Sequence, residues 1–178
     1  MKRCLKENKL LNDGNPKIKI KFNEKDFLEA VALISKDIEK NFNNEKFGII
    51  GVARGGLPLA IAISHRIGIR RVDTVQIKMT NSNEKWDYGT AEIISSTVDD
   101  SVDKYIIFED IVSHGRSVNI LVNELLKKNK KVLAIYSLIL NEDMEKLTLD
   151  NENMDIIFVN KITQRQWVNF FWERGYLE

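Results

Sequence analysis

Apolar and polar positions recur along this chain with two distinct periods. Residues 17–22 alternate between charged and apolar side chains, the period-two pattern of a half-buried edge strand. Phe27, Ala30, Val31, Leu33, Ile34 and Ile38 then fall on one face at helical spacing. Asn23 or Asp26, just ahead of them, supplies the N-cap. The run Phe47-Gly48-Ile49-Ile50-Gly51-Val52-Ala53 holds no polar side chain and predicts a strand buried on both faces. Arg54-Gly55-Gly56 turns the chain into a helix over residues 57–67, whose first turn tolerates Pro58. Strands are further predicted over 72–79, 93–97, 131–140 and 154–159, with a buried strand beginning at Tyr105 and a helix running from Val118 to about Lys128. This alternation predicts an α/β fold, a mostly parallel twisted sheet flanked by helices on both faces. Residues 1–16 are polar, end at Gly14-Asn15-Pro16 and read as a loosely ordered N-terminal extension; residues 17–178 read as a single domain.

Composition narrows the field of functions. A chain of 178 residues with 43% hydrophobic content buries one full core. The net charge of +1 offers no electrostatic case for nucleic acid or for an anionic membrane. Cys4 is the only cysteine, which leaves neither an intrachain disulfide nor a cysteine-based metal site. The first residues are charged without an apolar stretch behind them, so no signal peptide is expected, and no apolar run has membrane-spanning length. A cytoplasmic setting is the expectation.

The segment richest in chemistry is Tyr105-Ile106-Ile107-Phe108-Glu109-Asp110-Ile111-Val112-Ser113-His114-Gly115-Arg116-Ser117. It reads as a buried strand, two adjacent carboxylates at the strand's end, a polar turn containing glycine, and a helix N-terminus. Free N–H groups of such a turn hold a phosphate, and Ser117 adds a hydroxyl. Carboxylates beside a phosphate cradle suit a ligand carrying both phosphate and hydroxyl groups, with Mg²⁺ nearby, and a sugar phosphate fits that description. The second segment is Val52-Ala53-Arg54-Gly55-Gly56-Leu57-Pro58. Its glycines admit a ligand close to the backbone, and the permanent charge of Arg54 suits pyrophosphate oxygens. In open parallel sheets, ligands bind at the carboxyl ends of strands, where both turns are expected.

The acidic segment resembles the phosphoribosyl pyrophosphate signature of the type I phosphoribosyltransferases. The stretch from Gly48 to Val75 and the ending Trp167-Val168-Asn169-Phe170-Phe171-Trp172-Glu173 are similar to the bacterial xanthine-guanine members of that family. The resemblance spans roughly residues 45–175 and implies a small C-terminal hood, over about 160–178, and a flexible loop. It implies that Glu109 and Asp110 hold the ribose hydroxyls, with Asp110 helping to place Mg²⁺, partly through the substrate. Ser113, His114, Gly115, Arg116 and Ser117 would wrap the 5′-phosphate. Ala53, Arg54 and Gly55 would contact pyrophosphate, with a cis peptide before Arg54. Trp167 would stack on the base, and the backbone at Val168 would meet the base's edge. For the aromatic cluster of the ending, plain core packing stands as the alternative to a hood. His114 either titrates near neutral pH or contributes only its backbone N–H. The polar segment 80–92 lies where the family has its flexible loop, so Lys85, Trp86 and Tyr88 are lid candidates; an ordinary exposed connection is the equal alternative.

The implied activity is transfer of 5-phosphoribosyl from phosphoribosyl pyrophosphate to a nucleobase, a purine of the guanine, xanthine or hypoxanthine type, with release of pyrophosphate. Glu109, Asp110 and Ser113 would carry the catalysis, Mg²⁺ would be the cofactor, and a homo-oligomer, a dimer or a tetramer, is expected. Three positions depart from the family pattern. Ser113 stands where the 6-oxopurine enzymes usually have Asp, Leu138 stands at the place of a base-reading lysine, and Phe171 replaces a proline. These departures support a second reading, a phosphoribosyl pyrophosphate-binding regulatory or partner protein on the same fold. An RNA-binding regulator is disfavoured by the near-zero charge.

Overall fold

The computed structural model describes residues 2–6, 20–78, 90–113, 115–141, 154–162 and 167–173. Local sequence sets the helix boundaries. Helix α1 (Glu24–Phe42) begins with a reciprocal cap. The Asn23 side chain accepts the Asp26 N–H at 3.0 Å, and the Asp26 carboxylate accepts the Asn23 N–H at 3.2 Å, so both candidate caps act together. Helix α2 (Gly56–Ile67) stops at Gly68, whose left-handed φ of 75° suits glycine.

Strands β1 (Lys2–Cys4), β3 (Gly48–Ala53), β4 (Val72–Lys78), β5 (Glu92–Ser96), β6 (Lys104–Val112), β7 (Lys131–Asn141) and β8 (Ile156–Ile162) form one sheet in the order β1-β8-β7-β6-β3-β4-β5. Every pairing is parallel except that of β4 with β5. One face packs under α1 and α2, where Ile34, Ile38, Leu59 and Ile63 meet Ile49, Ile106 and Tyr136. The other packs under α3 (Arg116–Lys127), where Val118, Leu121 and Leu125 meet Ile50, Ile107 and Ile135. The α/β architecture with helices on both faces is the one the alternating pattern predicts.

One N-terminal expectation needs correction, and the other gains a partner. Lys2–Cys4 is not loosely ordered: it is the edge strand, paired with β8 from Lys2↔Ile156 to Cys4↔Phe158. Polar composition is no obstacle at an edge, and Arg3 is anchored there by two 2.6 Å hydrogen bonds to Asp37 of α1. The period-two segment forms β2 (Ile20–Phe22), but its partner is β9 (Val168–Phe170), in a separate two-stranded parallel sheet. Phe22 and Phe170 meet across it with ring centroids 5.4 Å apart.

The connection from β3 leads outward to β4, while that from β6 leads the opposite way to β7 and β8. The strand order therefore reverses between β3 and β6, which run side by side from Gly48↔Tyr105 to Gly51↔Phe108. A crevice opens at the carboxyl ends of such a pair.

Candidate active site

The two turns singled out in the sequence follow these two strands and touch. At Gly55 an added β-carbon would fall on the Asp110 carboxylate, and at Gly56 on the Phe108 carbonyl. Only glycine allows the turn after β3 to lie this close to the end of β6. The peptide bond between Ala53 and Arg54 is cis. Arg54 itself is exposed.

Glu109 and Asp110 differ in setting. Glu109 is buried, and Ser117 of α3 donates to its Oε2 at 3.4 Å. Asp110 is half-buried and accepts the Ile111 N–H at 2.7 Å. Burial pushes the Glu109 carboxyl well above the usual range, and the neighbouring Asp110 charge adds to it. Burial also raises Asp110; the hydrogen bond with Glu109 partly offsets this, and the charge of Glu173 raises it further. Among the ion pairs between described residues, none includes Glu109 or Asp110. Two adjacent acids, raised and without a cation partner among the described residues, favour an incoming cation.

The turn after β6 reaches α3 through Gly115, buried and left-handed at φ 68°. Asn119 N–H closes the first helical turn onto the Gly115 carbonyl at 2.7 Å. The preceding first-turn N–H groups of a helix have no intrahelical acceptor and point out of its N-terminus. Ser113 and Ser117 are half-buried and Arg116 is exposed. His114 lies outside the described residues, as do Lys85, Trp86 and Tyr88. No cluster of three or more His, Cys, Asp or Glu is found among the described residues.

The C-terminal aromatic cluster divides. Phe170 stacks on Trp172 at 4.7 Å, and Phe27 of α1 meets Phe171 at 5.5 Å and Trp172 at 5.4 Å, all as packing contacts. Trp167 is 48% exposed, while Val168 beside it is buried. Leu138 is fully buried in the core. The motif-based reading gave no role to Glu173, whose field reaches Asp110 and whose Oε2 accepts the Phe170 N–H at 3.1 Å. Its place as the acidic end of the Trp-rich segment was the available signal. An open cleft of about 970 Å³ lies elsewhere, along α3 between Thr90, Ile93 and Arg116, Asn119, Asn123. It is lined by Arg116 of the turn after β6 but by neither member of the acid pair.

Residues 22–178 match the phosphoribosyl transferase domain family, and the chain belongs to that family. It is 25% identical, over 82% of its own length and 79% of the relative's, to the xanthine-guanine phosphoribosyltransferase of Desulfotalea psychrophila. It is 27% identical, over 76% of its length and 68% of the relative's, to the orotate phosphoribosyltransferase of Methanococcus maripaludis. The crystal structure of a purine phosphoribosyltransferase from Pyrococcus horikoshii superposes with a TM-score of 0.67 and 22% identity, covering 88% of this chain and 95% of that one. The protein is thus a phosphoribosyltransferase, an enzyme of the glycosyltransferase type.

Proposed function

We propose that this enzyme transfers the 5-phosphoribosyl group of phosphoribosyl pyrophosphate to a purine base of the guanine, xanthine or hypoxanthine type, releasing pyrophosphate. The observation that carries this reading is the contact of the Gly55 backbone with the Asp110 carboxylate, which joins the pyrophosphate turn and the acidic turn in one crevice. Asp110 and Glu109 would hold the ribose hydroxyls. The turn from Ser113 to Ser117 would hold the 5′-phosphate on backbone N–H groups and the Ser117 hydroxyl. Arg54 and the N–H groups around it would meet pyrophosphate as it leaves. The raised carboxyls, without a cation partner among the described residues, fit Mg²⁺, which would supply charge neutralisation at pyrophosphate; Asp110, with substrate oxygens, would hold it. Trp167, half exposed beside β9, would cover the base, with the Val168 backbone at its edge. Water exclusion is assigned to the segment with Lys85, Trp86 and Tyr88. Assembly into a dimer or tetramer belongs to the same reading.

A second reading, a binding protein without base chemistry, is favoured by Ser113 and Leu138. A serine is no base near neutral pH, and a fully buried Leu138 offers no donor to a 6-oxo group. A spectrophotometric screen of guanine, xanthine, hypoxanthine, adenine and orotate with phosphoribosyl pyrophosphate and Mg²⁺ separates the two. Turnover of a 6-oxopurine is expected. Turnover of orotate alone would reassign the base, and tight donor binding without turnover of any base would favour the binding protein.

A further inference from the structure

Strands β6, β7 and β8 share an irregularity at the level of the acid pair. The β6–β7 register runs from Phe108↔Tyr136 to Glu109↔Ser137, then resumes at Ile111↔Ile139, leaving Asp110 and Leu138 unmatched. The β7–β8 register skips the same place, from Ser137↔Phe158 to Ile139↔Asn160. The faces change phase there. Ala134, Tyr136 and Leu138 pack toward α1 and α2, as alternation requires, but Ile139 follows on that same face and Leu140 lies on the α3 face. In β6, Ile106 and Phe108 serve the first face, yet so does Ile111, three residues later. A strand of strict period two cannot do this. The ladder lacks its bridge at Asp110 and Leu138, while the pairing offset between β6 and β7 is the same on either side.

A gap in the ladder frees backbone groups in a buried place, and they need partners. Ser137 provides them. It is fully buried. Its Oγ accepts the Val112 N–H at 3.3 Å and the Ile139 N–H at 3.2 Å. Its single proton goes to the Ile139 carbonyl at 2.6 Å, with the Asp110 carbonyl also within reach at 3.2 Å. One hydroxyl thus ties the β6 backbone at Asp110 and Val112 to the β7 backbone at Ile139.

We propose that Ser137 is a positioning residue for the acid pair, holding the kinked end of β6 so that the Asp110 carboxylate faces the Arg54-Gly55 turn. The inference rests on the proposed phosphoribosyl site. Ser137 touches no substrate in this reading, and its effect passes through the Asp110 and Val112 backbone. Because it acts on the ribose and pyrophosphate side of the crevice, its loss should fall on that substrate and spare the base.

The test compares wild type, Ser137→Ala and Ser137→Thr, with Ser35→Ala as control. Ser35 is also a buried serine, but in α1, and its hydroxyl has no partner among the described residues. Ser137→Ala is expected to lower kcat/KM for phosphoribosyl pyrophosphate on the order of 10–10²-fold, the usual result of a small misplacement. The KM for the base should stay within about twofold. Amide exchange at Val112 and Ile139 should quicken, and Ser137→Thr should restore part of both effects. Should Ser137→Ala not fold, Ser137→Cys, with nearly the same volume and a poor hydrogen-bonding group, replaces it under the same criteria. Unchanged donor kinetics in the folded variant, or equal losses for donor and base, would overturn the positioning role alone. A wild type that binds neither phosphoribosyl pyrophosphate nor a nucleoside monophosphate would overturn the site reading first, and this inference with it.

Discussion

Two pairs of carboxylates in this molecule are sheltered from water, and they are treated in opposite ways. Asp37 in α1 receives both terminal nitrogens of Arg3 at 2.6 Å and the Tyr136 hydroxyl at 2.7 Å. Asp73 in β4 receives Arg71 at 2.7 and 3.0 Å and the Tyr105 hydroxyl at 3.1 Å. Each thus has a guanidinium and a phenol. Burial pushes Asp37 up, but the bonds from Arg3 and Tyr136 outweigh it and hold the carboxyl below the usual range. Glu109 and Asp110 have each other, a serine and a backbone N–H, and both are raised. An acid that serves the fold comes with its counter-charge, whereas an acid pair that serves a ligand leaves that charge to be supplied from outside.

The largest expected effect tests the ligand side of this contrast. Asp110→Asn keeps the shape and removes the charge, so transfer should fall on the order of 10³-fold, as when a preorganised charge partner is lost. Thermal stability should not fall with it. A transfer rate within about threefold of wild type would remove Asp110 from the site.

Next comes the fold side. Asp37→Ala leaves Arg3 and the Tyr136 hydroxyl without their acceptor and should lower unfolding free energy by about 2–3 kcal/mol in urea titration. That is less than for a fully buried pair, because Arg3 is 38% exposed. Activity per folded molecule should be retained. A route for failure exists: Tyr136 stacks on Phe108 at 5.7 Å, and Phe108 precedes Glu109. Loss of activity well below the melting temperature would mean that the two regions are coupled through these rings.

A smaller effect has the opposite sign. Glu109→Gln removes a buried carboxyl that has no cation partner among the described residues, so the unliganded protein should gain about 1 kcal/mol while ligand affinity drops. A loss of stability would show that Glu109 is tied into the fold as Asp37 is.

Much of this contrast could be read from residue order, and the reasons it was not all legible are physical. The acid pair was visible because two adjacent carboxylates at the end of an apolar strand have few structural uses. The turn after β3 was visible because Arg-Gly-Gly between a buried strand and a helix is chemically unusual. The Arg3–Asp37 pair was not, since it joins residues 34 apart in sequence across an edge strand too short and polar to show periodicity. The partner of β2 was hidden because alternation reports a half-buried strand and says nothing about which strand lies beside it. Trp167 and Phe170 were read as one aromatic group, and only packing separates the exposed ring from the buried one. Ser137 gave no signal, because a serine in an apolar run looks like a tolerated substitution until the ladder break beneath Asp110 is seen.

The smallest effect is the dependence of these stabilities on pH, where the two kinds of acid should part in sign. Asp37 has a folded-state pKa below its unfolded value of about 3.9. Its contribution is therefore fully present above about pH 4 and is lost as pH falls through the folded value. Glu109 has a folded-state pKa above its unfolded value of about 4.3. Below that unfolded value both states are protonated and Glu109 carries no penalty; as pH rises, the folded state retains the proton longer, and stability is lost until the folded pKa is passed. Urea titrations of wild type, Asp37→Asn and Glu109→Gln between pH 3 and 7 should then show two gaps of opposite sign at pH 7. The Glu109→Gln advantage should shrink as pH falls from neutrality toward about 4, while the Asp37→Asn deficit should hold over that range and shrink only below it. Because Glu109 and Asp110 titrate as a pair, the Glu109→Gln curve reports their joint behaviour, and adding Asp110→Asn should remove what remains of it. A Glu109→Gln gap that stays flat from pH 7 to 4 would mean that this carboxyl is held ionised like Asp37, and the difference between the two pairs would then lie in geometry alone.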